Sequence, residues 1–173
     1  MLRMLARLKN RLIAKIIGLF PSLGKVFTAS YRPLESKDIP WASVRKPLRD
    51  CMVAVVTTAG VHHRDQVPFN MEDRNGDPSF RIIDSKRPLT DLMITHDYYD
   101  HADADRDINI VFPIERLREF QTEKIIGGLA DRHYGFMGHI LDRHISTLMN
   151  KTAPEVARSL KGDGVDIVLL LPG

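Results

Sequence analysis

Histidine and aspartate are concentrated in one short segment of the chain, "THDYYDHADADRD", which covers residues 95–107. Imidazole and carboxylate groups suit zinc, iron or manganese, so a metal-dependent hydrolase is one function that this segment could serve. The spacing argues against a metal, because His96 and His101 are not four residues apart as in a helical metal-binding pair. A calcium loop is excluded because Ile108 stands where such a loop needs glycine. We therefore expect no metal.

Two other uses of the same segment stay open. Its aspartates could order a solvated loop by accepting hydrogen bonds from nearby backbone N–H groups. Alternatively, the segment could bind substrate, since loops at strand ends are where α/β folds place function. The pocket candidates in it are His96, Asp97, Asp100 and His101.

Two further segments hold polar residues near predicted strand ends. In "TTAGVHH", Thr57, Thr58 and backbone N–H groups could bind a carboxylate, and His62 could transfer a proton. In "ADRHYGFMGHI", His133 and Tyr134 precede glycines that allow close backbone approach, and functional and packing roles are equally open. The chain has no Gly-x-Ser-x-Gly elbow, Walker loop or dinucleotide fingerprint, so the catalytic residue is unknown.

The elements that must position these residues are predicted as strands and helices of an α/β fold. "CMVAVVTTAG" is nearly all apolar, which is typical of a strand buried on both faces. "TAPEVARSLKGDG" predicts a helix with a capping box at Thr152 and Glu155, Pro154 in its first turn and a stop at Gly162 or Gly164. "VDIVLLLPG" follows as a strand, so we expect a layered, Rossmann-like parallel sheet covered on both faces.

The rest of the predicted domain is less regular. "FPIERLREFQTE" predicts a helix opened by Pro113, "IIGGLA" a short strand and "HILDRHISTLMNK" another helix. Residues 64–92 read as loop, with "SFRII" as a possible short strand.

The first forty residues are predicted to form two separate regions. Residues 1–20 predict a basic amphipathic helix, which could dock on the domain or on a partner chain, or lie on an anionic membrane surface. Prolines 21, 33 and 40 favour a linker over 21–40, so we place the domain at 41–173, from Trp41 onward.

Composition limits the class of protein. A chain of 173 residues with 43% hydrophobic residues fits one globular domain, and a formal charge of +3 is too small to indicate nucleic-acid binding. Cys51 is the single cysteine and lies in an apolar run, so we expect a small buried side chain, no internal disulfide and a reducing, cytoplasmic setting.

Five sequence segments of the chain, taken together, are specific to one family. They are "KPLRDCMVAVVTTAGVHHRDQVPF", "GDPSFRIID", "LMITHDYYDHADADRDINIVFPIERLREF", "IIGGLADRHYGFMGHI" and "TAPEVARSLKGDGVDIVLLLPG". From about Trp41 to Gly173 the chain resembles the selenoprotein B family of glycine, sarcosine, betaine and D-proline reductases. The resemblance implies an oxidoreductase that cleaves a C–N bond in a small amino-acid-like substrate, together with companion subunits. It also implies that the pocket candidates line the edge of the sheet where the redox residue lies.

Members of that family continue past the final matching strand with selenocysteine, or cysteine in its place, in a U-x-x-C motif. No such residue occurs up to Gly173, and the selenocysteine codon UGA is read as a stop in standard translation. We therefore expect a C-terminally incomplete chain that is inactive alone and has no cofactor of its own, and a full-length form that carries selenocysteine. A shortened chain, a true early stop and a complete small domain are the alternatives for the chain end. For function, the alternatives are a binding or assembly module without catalysis and the metal-dependent hydrolase that uses the His96–Asp107 cluster. An unpaired "VDIVLLL" strand would favour low solubility or self-association.

Overall fold

The computed structural model describes residues 2–20, 22, 23, 25, 29 and 42–173. The linker predicted over 21–40 therefore lies mostly outside the described residues, and the predicted domain start, Trp41, lies outside them. The architecture is mixed α/β with a mostly parallel sheet, which confirms the predicted fold class.

A five-stranded sheet forms the centre of the described structure, and a separate pair of strands packs beside it. The strands are β1 Met52–Thr57, β2 Val61–His63, β3 Arg81–Asp84, β4 Leu92–Ile94, β5 Gly128–Leu129, β6 Arg132–Gly135 and β7 Ile167–Leu171. β7 pairs with β1 in parallel along one edge, while β5 and then β6 pair with the other edge of β1, also in parallel. β3 is antiparallel to β6, and β2 pairs with β4 in the antiparallel two-stranded sheet.

Helices lie at the amino terminus and between the later strands. They are α1 Leu2–Leu19, α2 Ile114–Thr122, α3 Arg143–Thr147 and α4 Ala153–Gly162, with a π-helical segment Leu148–Thr152 joining α3 to α4. Short 3₁₀ turns occur at Leu48–Asp50, Leu89–Asp91 and Ile108–Ile110.

Both faces of the sheet are covered, as the apolar sequence of β1 predicts. Alternate residues of a strand point to opposite faces, and Val53 and Val55 belong to one core cluster, which contains Ile114 of α2. Ala54 belongs to the other core cluster, which contains Val156 of α4. β1 is therefore the buried central strand that fixes where its carboxyl end emerges.

The predicted capping box at Thr152 is wrong, because Thr152 is not at a helix end. Its backbone is helical (φ −75°, ψ −41°), and the helical backbone arrives from α3 through the π-helical segment. The Thr152 hydroxyl donates instead to the carbonyl of Pro78 at 2.8 Å. The predicted glycine stop is confirmed at Gly164, which adopts φ +72° two residues after α4 ends.

Several element boundaries differ from those predicted. The "IIGGLA" strand shrinks to Gly128–Leu129, and the helix predicted from His139 begins only at Arg143. The turn predicted at "TTAGVHH" contains a strand, β2, because those residues find a partner in β4. The possible strand at "SFRII" is present as β3.

β7 is less buried than its apolar sequence predicts. It pairs with β1 alone among the described strands, and its outer side chains are open to solvent, with Leu170 72% exposed. Self-association through this strand stays a prediction.

Candidate functional site

The carboxyl ends of three parallel strands meet beside Thr58, the residue that follows β1. Thr58 N–H donates to the carbonyl of Leu171 in β7 at 2.9 Å, and Gly173 N–H donates to Thr58 Oγ1 at 3.3 Å. On the other side, Phe136 N–H, just past β6, donates to the carbonyl of Thr57 at 2.8 Å. Thr58 therefore lies at the edge where α/β folds place binding sites.

Because residue 138 is glycine, a narrow opening no larger than a methyl group separates Thr58 from His96. A Cβ atom placed on Gly138 would lie 3.4 Å from Thr58 Oγ1 and 3.6 Å from His96 Nε2. The hydroxyl and the imidazole therefore face the same small space from two sides. The sequence-based prediction that glycines in "GFMGHI" allow close backbone approach applies directly to Gly138.

His96 is held as a neutral imidazole with a defined tautomer. Its Nδ1 accepts a hydrogen bond from Tyr98 N–H at 3.2 Å, so the ring proton lies on Nε2. Burial, reinforced by the nearby His139 and His101, lowers the pKa of His96 to about 4. Nε2 has no hydrogen-bond partner among the residues that the structure describes. At neutral pH His96 therefore presents one free donor to the opening.

An apolar cavity of about 420 Å³ adjoins Thr58 and Gly138, whereas His96 is not among the residues that line it. Its lining includes Thr58, Met137, Gly138, Ile145, Leu148 and Met149. The cavity could hold a small carbon skeleton while Thr58 contacts a polar group of the same molecule, with His96 on the other side of Gly138.

A larger cavity, about 760 Å³, lies between α1 and the loops of the domain. Arg7 and Lys9 of α1 line one side, and Tyr98 and His139 line the other with their rings stacked at 3.8 Å. Thr58 does not line this cavity. We therefore place the candidate site at the smaller cavity, where the strand ends meet.

Asp97 is paired with arginines of α1. Its side chain is 1% exposed and accepts hydrogen bonds from Arg7 Nε at 2.6 Å and Arg11 Nε at 2.8 Å. Burial raises the pKa of Asp97, but the two arginine hydrogen bonds outweigh it, and the net pKa lies below the ordinary value. Asp97 therefore anchors α1 as a carboxylate.

Asp100 and His101 make contacts within their own loop. Asp100 Oδ1 accepts from Ala102 N–H at 3.2 Å, and His101 Nδ1 lies 2.8 Å from Asp105 Oδ2. Within the described ranges, no three His, Cys, Asp or Glu side chains are grouped as a metal site requires.

Thr57 and His62 are buried, and their side-chain polar atoms form hydrogen bonds with other residues of the protein interior. Thr57 Oγ1 accepts from Ala59 N–H at 3.2 Å. His62 in β2 has Nδ1 2.7 Å from the carbonyl of His63 and Nε2 2.8 Å from Thr95 Oγ1. Desolvation lowers the pKa of His62. These contacts support the turn that carries Thr58.

His133 and Tyr134 project to opposite faces of the sheet, into the core rather than toward Thr58. His133 Nδ1 accepts from Val55 N–H at 2.9 Å, its ring packs against Phe112, and burial lowers its pKa to about 4. Tyr134 packs against Phe80 in the other core cluster. Neither His133 Nε2 nor the Tyr134 hydroxyl has a partner within the described residues.

Cys51 is remote from this edge. It is fully buried just before β1 begins, at the amino end of the strand, and its Sγ lies 3.4 Å from the carbonyl of Pro47. The sequence predicted such a buried cysteine. Sequence reasoning missed the arginine pair on Asp97 and the stacked Tyr98–His139 pair, because both contacts join residues far apart in the chain.

Comparison with known proteins gives a consistent result. Residues 9–172 match the family model of glycine/sarcosine/betaine reductase selenoprotein B. The chain is 43% identical over 133 residues to the D-proline reductase subunit gamma of Acetoanaerobium sticklandii, covering 77% of this chain and 53% of that protein.

More distant relatives extend the same pattern. The chain is 31% identical over 171 residues to the glycine reductase complex component B subunit gamma of Carboxydothermus hydrogenoformans, covering 95% of this chain and 36% of the relative. It is 28% identical over 154 residues to the betaine reductase complex component B subunit beta of Peptoclostridium acidaminophilum, covering 85% and 33%. The chain thus spans about half the length of the first relative and about a third of the other two. No solved structure matches it.

Proposed function

Because the chain belongs to the glycine/sarcosine/betaine reductase selenoprotein B family, we propose that it forms part of a reductase subunit that cleaves a C–N bond in an amino-acid-like substrate. The relatives named above are subunits of D-proline, glycine and betaine reductases. Since the chain spans only 53%, 36% and 33% of these relatives, the activity is proposed for the whole protein. The observation that carries the proposal is the family match over residues 9–172, and the strand ends beside Thr58 are the proposed location of the site.

The proposed role of Thr58 and His96 is to hold the substrate carboxylate. The Thr58 hydroxyl accepts from Gly173 N–H, so its own proton is available to donate. His96 Nε2–H is the second donor, and two donors facing one opening suit the two oxygens of a carboxylate. The neighbouring apolar cavity would take the carbon skeleton.

His96 is proposed to orient the substrate. Because its pKa is about 4, the imidazole is neutral at pH 7 and carries no second proton to give away. It acts as a fixed hydrogen-bond donor over the whole neutral range.

The redox residue is proposed to be a selenocysteine, or a cysteine, that is not among these 173 residues. Cys51 does not suit the role, because it is fully buried at the opposite end of β1 from Thr58. When present, a selenolate with a neighbouring thiol supplies the two electrons that C–N cleavage requires. Thr58 and His96 each offer a hydrogen-bond donor, and such donors stabilise an anionic selenolate as well as a carboxylate.

Companion subunits are the proposed protein partners, because the relatives are named as subunits of reductases. The lone buried cysteine agrees with a reducing, cytoplasmic setting, which we also propose. Among the helices described, none is long and apolar enough to cross a membrane.

The test uses the complete protein assembled with its companion subunits. D-proline, glycine and betaine are offered in turn with a dithiol reductant, and substrate loss and product are measured. Cleavage of the ring of D-proline leaves one linear product, whereas glycine releases ammonia and betaine releases trimethylamine. Consumption of none of the three by an assembled complex would refute the reductase proposal for these substrates and favour an assembly function.

The site is tested in the same assay with Thr58→Val and His96→Gln, and Thr90→Val serves as an exposed, matched control. Loss of one hydrogen bond to a charged group is worth about 1.5–3 kcal/mol, so each site variant should raise KM by about tenfold or more. Wild-type KM in both site variants would contradict the assigned carboxylate site.

A further inference from the structure

α1 packs on the domain through its polar face. Arg7 and Arg11 both bind the buried carboxylate of Asp97, at 2.6 and 2.8 Å. Ala14, one turn further along, is also buried. At about 100° per residue these positions lie on one side of the helix, which therefore faces the domain.

The opposite side of α1 carries an apolar stripe that is left exposed. We define this stripe as Leu8, Leu12, Ile16 and Leu19, all of which are exposed, whereas Leu5 lines the cavity between α1 and the domain loops. At about 100° per residue the four side chains span an arc of about 80°, and its centre points almost directly away from the side that holds Arg7 and Ala14. The docking contacts thus orient the stripe toward the surroundings. An amphipathic helix ordinarily buries such a stripe against its own domain.

The charges beside the stripe select its partner. Residues 2–19 contain five basic side chains and no acidic one. Arg7 and Arg11 are bound to Asp97, while Lys9 and Lys15 are exposed and lie about 60° to either side of the centre of the stripe. Lys9 also lines the cavity between α1 and the domain loops. A second copy of α1 packed on the stripe would bring lysines against lysines with no carboxylate between them. An anionic surface complements the stripe and both lysines at once.

We propose that the apolar stripe of α1 lies on the surface of an anionic lipid bilayer, an interaction that goes beyond the reductase function. The stripe enters the boundary between headgroups and acyl chains, Lys9 and Lys15 reach the anionic headgroups, and the helix lies parallel to the surface. The Asp97 carboxylate, held by Arg7 and Arg11, keeps the domain on the far side of the helix. The protein is thereby attached at one face without crossing the bilayer.

Vesicle flotation of the full chain tests the apolar part of the proposal. Wild-type protein should float with vesicles of phosphatidylcholine mixed with phosphatidylglycerol and remain behind with phosphatidylcholine alone. Leu12→Ser should reduce binding about tenfold, because it withdraws an apolar side chain from the bilayer boundary. Ile110→Ser is the matched control, since Leu12 is 58% and Ile110 59% exposed. Equal binding by the two variants would overturn the role of the stripe.

The charge part is tested with two double variants of equal net charge. Lys9→Gln with Lys15→Gln should weaken binding about 30-fold, because each lysine near an anionic surface contributes about fivefold. Lys151→Gln with Lys161→Gln, which removes two exposed lysines elsewhere, should leave binding unchanged. Equal loss in both double variants would show non-specific attraction and refute the proposal.

Size-exclusion chromatography without lipid separates the remaining outcomes. A monomer that binds anionic vesicles supports the proposal. A dimer that Leu12→Ser dissociates and Ile110→Ser does not would show that a second copy covers the stripe. Absence of vesicle binding by wild-type protein would leave a protein partner as the occupant and overturn the lipid proposal.

Discussion

His96 and His133 have the same internal chemistry and different surroundings. Each ring accepts a backbone N–H at Nδ1, from Tyr98 and Val55 respectively, and burial lowers each pKa to about 4. They differ at Nε2. In His96 this atom faces the opening beside Gly138, whereas in His133 it lies in the buried core beside Phe112. A perturbed pKa therefore does not distinguish the site histidine from the core histidine. What distinguishes them is whether the second nitrogen can reach a ligand.

Acid should lower the free energy of unfolding through both histidines, because burial lowers the pKa of each, and this is the largest expected effect. The folded-state pKa of each is about 4 against an ordinary value of 6.5, so each favours the neutral folded state. That stabilisation is complete above about pH 6.5 and is lost progressively down to about pH 4, at about 3 kcal/mol for each ring. Aspartates with lowered pKa, such as Asp97, titrate below this window. The free energy of unfolding in urea, measured across this range, checks the prediction.

The matched controls for the acid experiment are His96→Asn and His133→Asn. Each variant should show a shallower fall in stability than wild type, by a similar amount. A free energy of unfolding that is constant between pH 7 and about pH 4.5 would contradict the shared mechanism.

Substituting His133 should lower the free energy of unfolding more than substituting His96, because the His133 ring accepts a hydrogen bond in the buried core. His133→Leu leaves the Val55 N–H buried without its partner, which should cost about 3 kcal/mol in the free energy of unfolding. His133→Asn should restore part of this, because the amide oxygen can accept in place of Nδ1. His96→Leu should cost less, since its Nε2 side is open. Denaturant unfolding of the three variants at pH 7 measures the difference, and equal losses at both positions would remove the distinction.

Filling the opening should separate the two regions by function, with the smallest energetic effect. The added Cβ in Gly138→Ala would lie between Thr58 and His96, and 3.1 Å from the Thr58 carbonyl. We expect KM of the complete reductase to rise about tenfold, equivalent to about 1.4 kcal/mol, with little change in unfolding. Gly162→Ala is the control, because its Cβ would meet nothing within 4 Å. An unchanged KM in Gly138→Ala would place the substrate elsewhere.

Much of the scaffold could be predicted from local sequence. The unbroken apolar run of β1 identified the strand covered on both faces, and Gly164 identified the turn before β7. The capping box at Thr152 failed because α3 runs into α4, so the local signature of a helix start lay inside a longer helical stretch. β7 has an apolar sequence, yet one side stays exposed, because burial depends on neighbouring strands rather than on composition.

The candidate site was predicted less completely. The sequence predicted Thr58 and His96 as candidates, but equally His62 and His133. The ring of His62 is hydrogen-bonded to Thr95 and the ring of His133 to Val55, both within the protein interior. Distinguishing these histidines requires knowledge of which residues surround each ring in space. No periodicity along the chain contains that information.

By itself, the sequence determined the family, the parallel α/β scaffold, the buried Cys51 and the amphipathic character of residues 1–20, because apolar period and motif are local properties. Only the tertiary structure decided that His96 faces an opening while His133 does not. It also decided that α1 turns its charged side inward to Asp97 and its apolar stripe outward. The physical reason is that a side chain's chemistry depends on its neighbours in space, and here those neighbours are distant in the chain.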